Sequence, residues 1–213
     1  MPRRARFIQP GATYHLISRF VASQWFVCDA HTRRTYLGLL GESLERTDWR
    51  CFAYAIMSNH IHLGVIAGYE SLADWTRAVN RPFAEWMNVR HARIGAVFLR
   101  PTALEVAPRG IGTLIAYIHC NPVRAGVVQR ALDSDWTSHR AYAGRVEPPG
   151  WLDLDAAARL AGVESAQVLA RGIDDRGAGR SELASVTCAR PRGRPARGDR
   201  SEGVTQKGTC PLF

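Results

Sequence analysis

The chain has 213 residues, 46% of them hydrophobic, enough for one sizeable core, and no apolar run approaches the ~20 residues that span a bilayer. Its formal net charge of +9 is carried almost wholly by arginine, with Lys207 the lone lysine, and the planar, permanently charged guanidinium suits phosphate. Five scattered cysteines without a C-x-x-C pair argue against both a disulfide framework and a cysteine zinc site.

From the N-terminus, "MPRRARFIQPG" lacks the apolar segment of a secretion signal, so the expected location is cytoplasmic. Arg3, Arg4, Arg6 and Arg19 stand in the first 20 residues without an acid, and six arginines face Glu85 and Glu105 across residues 77–109. A polyanionic partner, nucleic acid first among them, is expected; a merely basic, solvated surface is the plain alternative. Alternating patterns predict strands over 13–20 ("TYHLISRF"), 50–57 ("RCFAYAIM"), 60–67 ("HIHLGVIA") and 102–106 ("TALEV"). Helical spacing predicts a helix over 29–47, N-capped by Asp29, and another over 71–93 that Pro82 is expected to kink. The order β-α-β-β-α-β is that of α+β, ferredoxin-like domains, a split βαβ also found in RRM modules.

Residues 110–128 predict a further helix, interrupted at Asn121-Pro122. Two short helices after 151 read as a small packing appendage rather than a helix-turn-helix. Beyond 173 the chain is rich in Gly, Arg, Ser and Pro and too poor in large apolar residues to offset its ordering entropy. Residues 146–172 are thus expected to be a helical extension and 173–213 a disordered basic tail.

Within "MSNHIHLGVI", His60 and His62 stand two apart and project from one face of a strand, while Ile61, Leu63 and Val65 line the other. Paired imidazoles are good ligands for a divalent metal. Too few sulfur and nitrogen ligands accompany them for a closed zinc site, so an open, catalytic metal is the functional reading. With seven histidines in this length, H-x-H alone is a weak motif. In "YIHCNPVRAG", Tyr117 and Asn121 stand four apart, one helical turn. A phenol beside a Lewis acid that polarises a phosphate can serve as a nucleophile, and an asparagine oxygen can complete a ligand set. Two structural readings stay open: Asn121 as an N-cap ahead of Pro122, and Tyr117 as a core residue.

"MSNHIHLGVI" resembles the histidine-hydrophobic-histidine signature of HUH proteins. "YIHCNPVRAGVV" followed by "DSDWTSHRAY" resembles the corresponding region of REP-associated tyrosine transposases, as do "MPRRARFIQPGATYHLISR" and the helix around "RRTYLGLL". The resemblance covers residues 1–144 and implies a catalytic domain over 1–145. It implies a ferredoxin-like antiparallel sheet with helices on one face and an added C-terminal catalytic helix. It also implies cleavage and rejoining of structured single-stranded DNA through a 5′-phosphotyrosine, with magnesium or manganese. Carried over by position, His60, His62 and Asn121 are metal ligands and Tyr117 is the nucleophile. Palindromic hairpins are the implied substrate, met at the nucleoid, and a homodimer is compatible with the group. Arg3, Arg4, Arg6, Arg19, Arg81 and Arg124 are candidate phosphate contacts, and Trp25, Trp75, Trp86 and Trp136 candidate stacking residues set against a core role. His15 and His119 lie near the same motifs. Ser58 stands where the group usually has proline, and Pro101 follows Arg100 where phenylalanine is common, which threatens the start of the last strand. A non-catalytic DNA-binding regulator with the same fold and an RRM-like RNA-binding module are the competing functions.

Overall fold

In a computed structural model that describes residues 8–178, the predicted strands appear as β1 (Thr13–Arg19), β2 (Arg50–Ile56), β3 (His60–Ile66) and β4 (Thr102–Glu105). They form one antiparallel sheet in the order β2-β3-β1-β4. With one helix between β1 and β2 and another between β3 and β4, this is the ferredoxin-like arrangement expected from the pattern. Strand alternation assigns the faces. Tyr14 and Leu16 of β1 and Ile61, Leu63 and Val65 of β3 join one buried cluster, leaving His15, His60, His62 and Gly64 for the opposite face.

The first face is covered by α1 (Ala30–Glu45) and α2 (Leu72–Arg90). Asp29 caps α1 as expected, its carboxylate accepting the Thr32 amide at 2.9 Å, which satisfies one of the unpaired N–H groups of the first turn. Ser71 caps α2 in the same way through the Asp74 amide. Trp75, Val79, Phe83 and Met87 recur every four residues along α2 and are all buried, each worth about 1.5–3 kcal/mol for the larger aliphatic and aromatic groups. The helix continues on both sides of Pro82.

The second face carries α3 (Ile111–His119), α4 (Asn121–Arg124), α5 (His139–Tyr142), α6 (Leu154–Ala161) and α7 (Ala166–Ala178). A bulge between Cys51 and Ala53 puts both Phe52 and Ala53 on this side. There they join Ile111, Ile115 and Ile118 of α3, Ala157 of α6 and Ala170 and Ile173 of α7 in a second buried cluster. Gly64 makes room for it: a Cβ at this position would lie 2.6 Å from Cε2 of Phe52. Helices therefore flank both faces, with the added helix α3 and its companions opposite α1 and α2. The two helices expected after 151 are present, and α7 continues past position 173; residues from 179 onward lie outside the described part.

Pro101 does not spoil the last strand. Pairing with β1 begins ahead of it, where the Leu99 amide donates to the Arg19 carbonyl at 2.8 Å and Phe98 bridges Phe20, and β4 starts at Thr102 on the sheet edge, where a preceding proline is tolerated. Ser58 lies in the β2-β3 turn, closed by the Met57 amide on the His60 carbonyl at 3.0 Å. The N-cap reading of Asn121 is overturned. Asn121 is itself the first residue of α4, and Cys120, in helical geometry at φ −83° and ψ 0°, holds the cap position.

Candidate active site

The antiparallel register of β1 on β3 sets Ile17 opposite His62, Arg19 opposite His60 and His15 opposite Gly64. Three imidazoles consequently gather on one face. The rings of His60 and His62 are 4.6 Å apart and nearly perpendicular, and those of His15 and His62 are stacked at 5.0 Å. A 2.8 Å hydrogen bond joins His15 Nε2 to His62 Nδ1. His62 is 2% exposed, and its other nitrogen, Nε2, is a buried polar atom without a hydrogen-bond partner.

Helix α3 packs across β2 and β3 and brings Tyr117 over this group, its ring centroid 5.5 Å from that of His15 and 5.6 Å from that of His62. Tyr117 is half-buried, unlike the wholly buried Ile115 and Ile118 around it, and packs against the edge of the second cluster while its ring faces the histidines. The Arg124 guanidinium lies over the Tyr117 ring at 4.9 Å, a cation–π contact that places a permanent positive charge beside the phenol. One turn after Tyr117, the Asn121 side-chain amide donates to the Tyr117 carbonyl at 2.9 Å. Its Nδ2 is thereby committed, and the oxygen is the end with ligand chemistry. Pro122 offers no N–H to the Ile118 carbonyl, which accounts for the helix break at this point.

Burial sets the charge state of the histidines. It holds His15 at about 4, assisted by the charge of His60. His60 is lowered by burial and by Arg19, and His62 well below the usual range by burial, then His15, His60, Arg19 and Arg124. All three imidazoles are neutral at pH 7, the form that coordinates a metal. Among the described residues no group of three or more His, Cys, Asp or Glu side chains is arranged to hold a metal ion. An ion here would rely on the two histidines of the motif and a neutral oxygen.

The structure separates other candidates from this place. Arg81 is on α2, across the sheet, and pairs with Glu85 at 2.8 Å. Arg19 and Arg124 stay at the site and are exposed. Arg3, Arg4 and Arg6 lie outside the described residues. Trp75 is a core residue stacked on Trp49, Trp86 and Trp136 are partly buried against the same core, and Trp25 is exposed. His119 points into a separate buried network. Its Nε2 meets Ser138 Oγ at 2.7 Å, its Nδ1 meets His139 Nδ1 at 3.2 Å, and His139 Nε2 meets Asp174 of α7 at 2.9 Å.

Comparison with protein-family models gives no match, and neither does comparison with curated protein sequences. Among solved structures, a REP-associated tyrosine transposase bound to a REP hairpin superposes with a TM-score of 0.55 at 13% sequence identity, over 70% of this chain and 89% of that one. The likeness shows a shared fold. A putative transposase from Deinococcus radiodurans R1 (TM-score 0.40, 17% identity, 55% of this chain and 95% of that one) is more distant. So is a bacterial tRNA(His) guanylyltransferase-like protein in complex with GTP (0.39, 8%, 53% and 63%). These two similarities are too slight to identify a common fold. Among the described residues no helix is long and apolar enough to cross a membrane.

Of the two further histidines that the sequence offers near these motifs, His15 joins the site and His119 does not. What the sequence does not show is the partner of His15, His62, which lies 47 residues away and is brought to it by strand register.

Proposed function

We propose that this protein is a metal-dependent, single-tyrosine DNA strand transferase that cleaves and rejoins structured single-stranded DNA. The observation that carries the reading is the meeting of Tyr117 with His60 and His62 on one face of a transposase-like sheet. His60, His62 and Asn121 would hold a divalent ion, magnesium or manganese, and the partnerless Nε2 of buried His62 fits such a role. Bound there, the ion supplies Lewis-acid polarisation of a phosphoryl oxygen.

The chain's own residues supply the rest. The Tyr117 oxygen attacks phosphorus, forming the Tyr117 O–P bond as the bond from phosphorus to the 3′ oxygen breaks. The phenol proton is lost, the departing 3′ oxygen gains one, and the products are a 5′-phosphotyrosine and a free 3′-hydroxyl. Attack by a 3′-hydroxyl on the phosphotyrosine reverses these steps at a new junction. Arg124, over the Tyr117 ring, offers its guanidinium to the phosphate beside the attacking oxygen. Arg19, beside His60, extends the positive surface, and Arg3, Arg4 and Arg6 are further candidate phosphate contacts in this reading. A palindromic hairpin is the fitting substrate and the nucleoid the fitting location. Residues 1–145 form the catalytic domain in this reading.

The RRM-like alternative is disfavoured because the aromatic residue of β2 on the histidine face, Phe52, is fully buried beneath helices, whereas RNA-stacking rings must be exposed. Incubation with a hairpin oligonucleotide and Mg2+ or Mn2+, followed by denaturing electrophoresis, tests the proposal. The unaltered protein is expected to form a covalent adduct that chelator prevents, and Tyr117→Phe to bind the hairpin without an adduct. An adduct with Tyr117→Phe refutes the nucleophile, and binding without any adduct by the unaltered protein identifies a non-catalytic regulator.

A further inference from the structure

The 2.8 Å contact between His15 Nε2 and His62 Nδ1 requires one N–H and one lone pair, and two arrangements supply them. In the first, His15 donates from Nε2, so the proton of His62 sits on Nε2. That N–H is then buried with nothing to accept it, a loss of about 1–3 kcal/mol. In the second, His62 donates from Nδ1, His15 accepts on Nε2, and the buried Nε2 of His62 is a bare lone pair. Orphaned buried N–H groups are rarer in folded proteins than under-satisfied acceptors, and a bare lone pair on an imidazole is what a metal ion binds.

We propose that His15 is a positioning residue for the metal centre: it accepts the Nδ1–H of His62, fixes that tautomer and ring plane, and so presents Nε2 as the ligand atom. The inference rests on the metal-site reading given above. Three observations converge on it. The two rings are stacked across adjacent strands with their planes 25° apart. The register sets His15 opposite Gly64, a residue with no side chain of its own to compete for the position beside His62. His15 is itself buried, 5% exposed, so water does not compete for the bond. Ligating histidines usually give their second N–H to a carboxylate, carbonyl or water; here an imidazole from the neighbouring strand takes it, which adds no negative charge to a site meant for a phosphodiester.

The test uses the full chain and Mn2+ as the probe. Long-range 1H–15N NMR on the metal-free protein near neutral pH reads the tautomer of His62 directly, and electron paramagnetic resonance of free Mn2+ reads affinity. The unaltered protein is expected to show His62 protonated on Nδ1. His15→Phe, which keeps the volume and removes the acceptor, is expected to weaken Mn2+ binding roughly 10–100-fold, while His15→Gln, which restores an acceptor, stays within about threefold. A merely structural role predicts no rescue by glutamine. Finding His62 protonated on Nε2 in the unaltered protein overturns the proposal, a result that needs no variant to fold. Mn2+ bound equally by His15→Phe and the unaltered protein refutes the role of His15 alone. No Mn2+ binding by the unaltered protein refutes the metal centre and with it any ligand for His15 to position.

Discussion

Acidification is expected to destabilise the metal-free protein through its buried histidines, and His15 gives the magnitude. In the unfolded chain His15 titrates at its ordinary 6.5, and burial holds it at about 4 in the folded protein. Above pH 6.5 both states are neutral and the residue contributes nothing. As pH falls from 6.5 toward 4 the unfolded state takes up a proton that the folded state refuses, so stability falls with pH; below 4 the loss is complete. A fall of this size, at about 1.4 kcal/mol per pH unit, amounts to about 3 kcal/mol, of which about 2 is lost by about pH 5. His60 and His62, also held low, act in the same direction. Urea unfolding with chelator present, at about pH 7 and about pH 5, measures the effect. His15→Phe removes this contribution and relieves His62 of a neighbouring charge, so its stability is expected to vary less between the two pH values by about 2 kcal/mol. Equal pH dependence in the two proteins would refute the reasoning.

Gly64→Ala is expected to cost about 1–3 kcal/mol by overpacking, because its Cβ would stand 2.6 and 2.9 Å from two carbons of the Phe52 ring. Adding Phe52→Leu should recover part of that loss in a double-mutant cycle by urea unfolding, and strictly additive effects would count against the contact. Asp174→Ala leaves buried His139 without the carboxylate 2.9 Å away and is expected to destabilise by about 1–3 kcal/mol. A change under about 0.5 kcal/mol in the same assay would mean that α7 contributes nothing through this bond.

Much of the sheet was legible because its alternation is clean. Ile61, Leu63 and Val65 announce one face of β3 and His60 and His62 the other, and the observed strand differs from the expected one only at its end. The Asp29 cap was legible because its hydrogen bond is local. Asn121 misled for the opposite reason. The bias of a residue before proline against helical geometry is weaker than what holds Asn121 here, namely burial and the bond to the Tyr117 carbonyl. Helices α6 and α7 were visible as helices, but not that they would close the second face over Phe52, since that depends on the bulge in β2. Arg81 reads like the other arginines in sequence, and only the packing of α2 puts it across the sheet from Tyr117. His15 and His62 form a pair through strand register, which no local pattern encodes.

That register also acts as a proofreading device. Sliding β3 by one residue against its neighbours would turn His60 and His62 toward the apolar layer under α1 and α2 and push Ile61, Leu63 and Val65 out of it. The misaligned chain would thus forfeit its core at the same step as its chemistry. The register that builds the core under α1 and α2 is therefore the same one that brings Tyr117 and the imidazoles to face one another.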